Sequence, residues 1–365
     1  MTRLLPTLFR FLFFGLCLLL AGAGWAQTVN VDAVTRYWEI TDGLRQNKPI
    51  TDAVWQEFLE IPGNKVYARG IFSPEDLVAY RRAMEVVYMP RYDSLRQVRL
   101  KKQSWYYVLV NDYKEREAEH RAFIATVAKS PEAIDLMYQK AYQYLPARNH
   151  TKVANLKIYY EALGNDATSQ QEGLFYSLRA TFDAREVQPG LLEGHEMHHQ
   201  LRTGRDFGSI ADDDLGLLEI LYSTQNEGLA DLIDKPATLA LPGDTHSIRE
   251  WALDPAPAFL HKLDSTIQAR AKGGAPASGR YYRRLSNGSN GHVPGFFMAR
   301  TIQRNGYLKP LIKAADDPFA FFYLYQKAAK KDKEHAPLFS DDAMRYLKAL
   351  EARYPRPKGH PAAAS

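Results

Sequence analysis

The segment His195-Glu196-Met197-His198-His199 has the pattern H-E-x-x-H, with His195 and His199 four residues apart. Four residues are just over one helical turn, so on a helix both imidazoles project from one face. Two neutral imidazoles at that spacing can share one Zn²⁺. Glu196 then lies beside the metal, placed to take a proton from a water that the ion activates. The spacing predicts a helix here and zinc hydrolase chemistry on it. His198, at i+3 from His195, could replace His199, but Glu196 is placed correctly for the i,i+4 pair, which leaves His198 a rim or supporting role.

Catalytic zinc sites usually have three protein ligands and one open position. The extended motif H-E-x-x-H-x-x-G-x-x-H would need glycine at 202 and histidine at 205; the chain has Arg202 and Arg205, which excludes that class. The other common solution is a glutamate on the following helix, and two are available, Glu219 and Glu227.

Asn226-Glu227-Gly228-Leu229-Ala230-Asp231 reads N-E-x-x-x-D. It resembles the third-ligand helix of thermolysin-like gluzincin metallopeptidases, and its inner Glu-Gly-Leu-Ala is similar to the ligand segment of many bacterial gluzincin-type peptidases. The resemblance covers residues 150–235 and is specific over about twelve positions. It implies that Glu227 is the third zinc ligand and that Asp231 holds the far ring nitrogen of His195. Such a partner fixes the tautomer and makes the imidazole a better ligand. The chain departs from the pattern in its gap: residues 200–226 separate His199 from Glu227, and the shorter gap of thermolysin-like enzymes would end at Glu219. A loop absorbs eight extra residues, 227 minus 219, at little entropic cost. Glu219 also has no carboxylate one turn on, so Glu227 is the expected ligand.

More broadly, the mature chain resembles a family of exported bacterial proteins classed as zinc-dependent peptidases of unknown substrate. The run Gly291-His292-Val293-Pro294-Gly295 and the later Phe-rich helix are similar to their C-terminal half. The resemblance implies one Zn²⁺ per chain, a peptide or protein substrate, and peptide-bond hydrolysis with Glu196 as general base. A distal His or Tyr donates to the oxyanion in gluzincins; His292 is the candidate here, with Tyr282 as the alternative beside Tyr281. For each, a packed or exposed aromatic is the competing reading.

These residues must be positioned by a mostly helical chain. Ser73-Pro74-Glu75 and Ser130-Pro131-Glu132 are helix starts, as are Asp317-Pro318 and Asp341-Asp342. Leu156, Ile158 and Tyr160 alternate as in a strand, and so do Leu174, Tyr176 and Leu178; Gly164-Asn165-Asp166 between them has turn chemistry. The strand with Phe175 to Leu178 is the expected edge for an extended substrate. Residues 189–203 read as the H-E-x-x-H helix. A long helix then runs from Asp212 to about Asp234, stopped by Pro236. The expected fold class is α+β, predominantly helical: a gluzincin-like catalytic core with a small sheet preceding the H-E-x-x-H helix. Its divisions are a signal peptide (1–26), a helical N-terminal region (27–150), a zinc peptidase catalytic region with a helical C-terminal part (151–355), and a disordered tail (356–365).

Arg3 and Arg10, the apolar run Phe11 to Leu20 and the small-residue site Gly24-Trp25-Ala26 read as a secretion signal, which predicts a periplasmic or secreted protein without a stable membrane anchor after cleavage. Cys17 is the single cysteine and leaves with that signal, so thiol catalysis, disulfides and cysteine metal sites are excluded from the mature chain. Without Arg3 and Arg10, 45 basic residues face 42 acidic ones, a mild +3 with no basic-aromatic pattern for nucleic acid. There is no G-x-S-x-G elbow and no phosphate-binding glycine loop. The sequence thus predicts an exported zinc-dependent metallopeptidase. The alternatives are a zinc hydrolase acting on non-peptide amides and a degenerate peptidase fold serving as an exported binding module.

Overall fold

The computed structural model describes residues 27–241, 248–286 and 288–356. The expected secretion signal (1–26) lies outside the described residues, as does the expected tail beyond Arg356. After a short strand β1 (Thr28–Asn30) come α1 (Asp32–Arg45), α2 (Asp52–Glu60), α3 (Pro62–Ile71), α4 (Pro74–Tyr88), α5 (Asp93–Lys101), α6 (Trp105–Glu115), α7 (Glu117–Thr126) and α8 (Pro131–Tyr142). The sheet then forms from β2 (Lys157–Glu161), β3 (Ala167–Gln170) and β4 (Gly173–Ser177). Behind it follow α9 (Leu178–Val187), α10 (Leu191–Leu201) and α11 (Asp212–Leu239). The C-terminal part is α12 (Ala256–Ala271), α13 (Gly279–Leu285), α14 (His292–Arg304), α15 (Leu308–Lys313), α16 (Pro318–Ala329) and α17 (Asp341–Arg353). This is the predominantly helical α+β class with a small sheet ahead of the H-E-x-x-H helix.

The four helix starts read from the sequence are all capped. Ser73 and Asp76 close a reciprocal capping box on α4; Ser130, Asp317 and Ser340 each accept backbone N–H groups at the start of α8, α16 and α17. Three aspartates, 212 to 214, occupy the first turn of α11, where the helix dipole favours negative charge. Pro236 does not stop α11, which runs on to Leu239. Proline removes one N–H and crowds one carbonyl; with only three residues left, the last turn tolerates this, and the Thr238 hydroxyl donates to the Asp234 carbonyl.

The sheet order is β1-β2-β4-β3. The two strands read from the sequence, β2 and β4, are neighbours and parallel, with Tyr159 opposite Phe175. Their rings stack at 4.7 Å, so this pair covers one face of the sheet with aromatic surface. The chain passes beyond β4 to form β3, then returns antiparallel through a turn at Gln171 and Glu172. The expected substrate edge is therefore misplaced: β4 is paired on both sides and buried throughout, and the edge on its side of the sheet is β3, with β1 at the opposite edge. β3 is only four residues long and polar at Thr168, Ser169 and Gln170, which hid it from an alternation test.

Buried tyrosines of the N-terminal helices pin the β2–β3 connection. Tyr80, Tyr113 and Tyr67 donate to the carbonyls of Ala162, Gly164 and Asp166 at 3.3, 3.0 and 3.2 Å. A connection without regular structure thereby has its carbonyls satisfied inside the core. From the other side, Tyr176 of β4 donates to the Glu193 carbonyl of α10 at 3.2 Å, and Gln200 of α10 donates to Ser169 and to the Gln170 carbonyl of β3. The sheet is thus locked to the helix that carries the H-E-x-x-H motif.

Candidate metal centre

Close backbone approaches bring three helices to one point. Gly190, with φ 81°, turns the chain into α10. One residue before His195, a Cβ on Gly194 would come within 2.4 Å of the Lys140 Cβ, so glycine lets α10 lie directly against α8. On α11, a Cβ on Gly228 would meet the Gly295 carbonyl of α14 at 2.5 Å; on α14, a Cβ on Gly295 would meet the Thr224 carbonyl at 2.2 Å. The two helices touch backbone to backbone, and this contact sets Glu227 against His292.

Three imidazoles converge on one carboxylate oxygen. Nε2 of His199 lies 3.3 Å from Glu227 Oε2, and those of His195 and His292 each lie 3.5 Å from it. His195, Glu227 and His292 present ligand atoms that all lie within 4.8 Å of one another. A zinc ion with N and O ligands at about 2.0–2.1 Å in tetrahedral array places neighbouring ligand atoms about 3.3–3.4 Å apart. The three Nε2–Oε2 distances are close to that spacing, and N and O are donors zinc accepts; His199 meets Glu227 but lies outside the group of His195, Glu227 and His292.

The opposite ring nitrogens are each taken by an oxygen from α11. Nδ1 of His199 donates to Asn226 Oδ1 at 3.2 Å, Nδ1 of His195 to Asp234 Oδ1 at 3.2 Å, and Nδ1 of His292 to Asp231 at 3.0 and 3.1 Å. Asp231 was expected to hold His195. Its carboxylate is 3.7 Å from that ring and faces His292 instead, while Asp234 is the nearer partner of His195. Glu227, Asp231 and Asp234 follow at i, i+4 and i+7, one stripe of α11, and the loop return of the chain to α14 decides which carboxylate meets which ring. Lys235 binds the outer face of this stripe, 2.6 Å from Asp234 and 3.6 Å from Asp231. Buried carboxylates need such partners. Arg202, where another metal motif would need glycine, is buried; it donates to Asn226 at 3.0 Å and to the Ala315 carbonyl at 2.7 Å, and Asn226 donates onward to Glu227 Oε1 at 3.1 Å.

Electrostatics follow from this crowding. Burial alone would push the Glu227 carboxyl up, but His199, His292 and His195 outweigh it and hold that carboxyl well below the usual carboxylate range. Burial would push the His195 imidazole down; Asp234 and Glu227 reverse this and raise it well above its ordinary value. Burial pushes the Glu196 carboxyl up, partly opposed by His195 and His199. A carboxylate poised upward is the kind that can take a proton and return it.

Glu196, His195, His199, Glu227 and His292 all line a cavity of about 870 Å³. The segment Asp166 to Gln170, which contains β3, also lines it, as do Lys235 and Trp251. The other candidates lie elsewhere. Tyr282 is buried and Glu219 lies two turns ahead of Glu227; both line a separate cavity of about 580 Å³ that shares Glu227 and Asn290 with the first. Tyr281 bonds through its hydroxyl to Thr266 at 3.1 Å. Neither tyrosine lines the cavity of the imidazoles. His198 is fully buried, its ring set edge-on to that of His199, and burial holds its pKa well below the usual value. Asp234, Lys235 and Arg202 were not singled out from the sequence. The i, i+7 spacing of Asp234 from Glu227 is the signal that would have found it.

A family model described as "Putative zinc dependent peptidase (DUF5700)" matches residues 55–334. No curated protein and no solved structure matches the chain.

Proposed function

The chain belongs to the family described as "Putative zinc dependent peptidase (DUF5700)", and from that premise we propose that it is a metallopeptidase holding one zinc through His195, His199 and Glu227. The observation that carries this reading is the convergence of imidazole nitrogens on Glu227 Oε2 at 3.3–3.5 Å, beside Glu196 and inside a cavity large enough for a peptide segment. When bound, zinc lowers the pKa of a coordinated water from 15.7 toward about 7 and polarises the scissile carbonyl.

The chain's own residues do the rest. Asp234 and Asn226 hold His195 and His199 with Nδ1 protonated, so both present a lone pair at Nε2. Glu196 takes the proton of the attacking water and passes it to the leaving amine. The free edge β3 accepts an extended peptide in the cavity, its backbone groups pairing with those of the substrate. Residues 1–26 direct export to the periplasm or beyond, with Gln27 as the mature N-terminus.

The test is turnover of a quenched fluorescent peptide library by wild type and Glu196→Gln, with zinc measured in both. Wild type should cleave peptides, and Glu196→Gln should keep its zinc while losing roughly 10²- to 10⁴-fold in rate. A fully active Glu196→Gln would refute the assigned base. Turnover of small N-acyl compounds with no cleavage of any peptide would refute the peptidase reading.

A further inference from the structure

We propose that His292 is itself a metal ligand, so that the resting centre is held by three imidazoles and Glu227. The inference rests on the metal reading given above and adds a residue to it. Three histidines meet one carboxylate oxygen. Each points Nε2 at the same oxygen of Glu227, at 3.3, 3.5 and 3.5 Å, and each has Nδ1 bonded to an oxygen carried by α11. His292 has the most complete outer partner of the three, with both oxygens of Asp231 within 3.1 Å.

Asp231 accepts the Nδ1 hydrogen of His292, which leaves Nε2 as the ring atom turned to the centre, 3.5 Å from Glu227 Oε2. Asp231 thereby does for His292 what Asp234 does for His195. His292 is also the member, with His195 and Glu227, of the tight group whose ligand atoms all lie within 4.8 Å of one another.

The position of the ring is structural and not incidental. His292 is the first residue of α14, entered through Gly291 at φ 103°, and a Cβ on Gly291 would come within 2.5 Å of the Ser223 backbone of α11. The Gly228–Gly295 contact one turn on holds the same pair of helices together. His292 therefore stands at a constrained helix start. Trp251 packs against its ring at 5.9 Å, and His195 stacks on it at 5.7 Å. Of the residues that would hold the ion, His292 has the most exposed ring, at 29% of its side chain, and would be the one to yield to a substrate.

X-ray absorption of the zinc-loaded full-length mature protein counts imidazoles directly, and competition against a chelator gives affinity. Wild type should show three imidazoles per zinc; His292→Ala should show two, with zinc affinity at least about 100-fold weaker. His292→Gln, which preserves more of the ring's volume, serves as the second variant should His292→Ala fail to fold by circular dichroism, and the same fall from three to two is expected. Asp231→Asn should weaken zinc about 10- to 100-fold while the count stays at three. Two imidazoles in wild type, with unchanged affinity in the His292 variants, would overturn this inference and leave His195, His199 and Glu227 standing. No zinc bound by wild type would overturn both.

Discussion

Replacing Gly228 with alanine places a methyl group where α11 and α14 touch. The added Cβ would lie 2.5, 2.7 and 2.9 Å from the carbonyl oxygen, carbonyl carbon and Cα of Gly295. Ordinary contact begins at 3.4 Å, so α14 must withdraw by 3.4 minus 2.5, or 0.9 Å. No side chain can rotate away, because all three atoms are backbone. Overpacking of this kind costs about 1–3 kcal/mol, and the backbone contact argues for the upper end. In a thermal melt that is a loss of several degrees. The same movement lengthens the 3.5 Å approach of His292 to Glu227, and a misplacement of about 1 Å costs on the order of 10² in turnover. Gly43 in α1 is the control: a Cβ there meets nothing within 4 Å, and Gly43→Ala should be neutral or stabilise by up to about 1 kcal/mol. The assay is a melt of both variants with and without zinc, with chelator competition on each. A Gly228→Ala protein with the wild-type melting temperature and zinc affinity would refute the argument that this contact sets the site.

Asp234→Asn removes the charge that backs His195 and leaves Lys235 without its closest partner. Zinc affinity measured by chelator competition should fall about 10- to 100-fold, and an unchanged affinity would return the supporting role to Asp231. Asp332 accepts from Arg304 and Asn305 and takes the Ala336 N–H; Arg304 chiefly holds its carboxyl down to about 2. Because the folded value lies below the ordinary 3.8, this contribution is fully present above about pH 4 and is lost as pH falls through about 2. Asp332→Asn should therefore cost on the order of 1–2 kcal/mol in urea melts at pH 7, and the gap to wild type should close toward pH 2. A gap that stays constant with pH would contradict the charge argument.

Much of this was legible in local sequence. The H-E-x-x-H spacing and the Ser-Pro-Glu caps depend on neighbours within a turn or two, where periodicity is informative. The apolar runs of β2 and β4 were legible, but both strands are buried on both faces, and Leu178, read as part of the second, begins α9. The pairing of β4 on both sides was not legible, because strand order depends on a chain path that β3, short and polar, does not announce. The partner exchange of Asp231 and Asp234 was hidden for a related reason. Both lie on the correct stripe of α11, but which ring each meets is set by α14, which lies some sixty residues later in the chain. Tyr282 illustrates the converse: proximity in sequence to His292 did not bring it to the same cavity, since Tyr282 and Gly279 of α13 line the other cavity with Gly216 and Glu219 of α11.

The central claim is that Glu227, and not Glu219, completes a zinc centre with His195 and His199. Elemental analysis of the purified mature protein, with Glu227→Ala and Glu219→Ala prepared in parallel, tests it most directly. The account predicts one zinc per chain in wild type and in Glu219→Ala, and loss of that zinc in Glu227→Ala. Zinc retained by Glu227→Ala, or absent from wild type after zinc is added back, would contradict it.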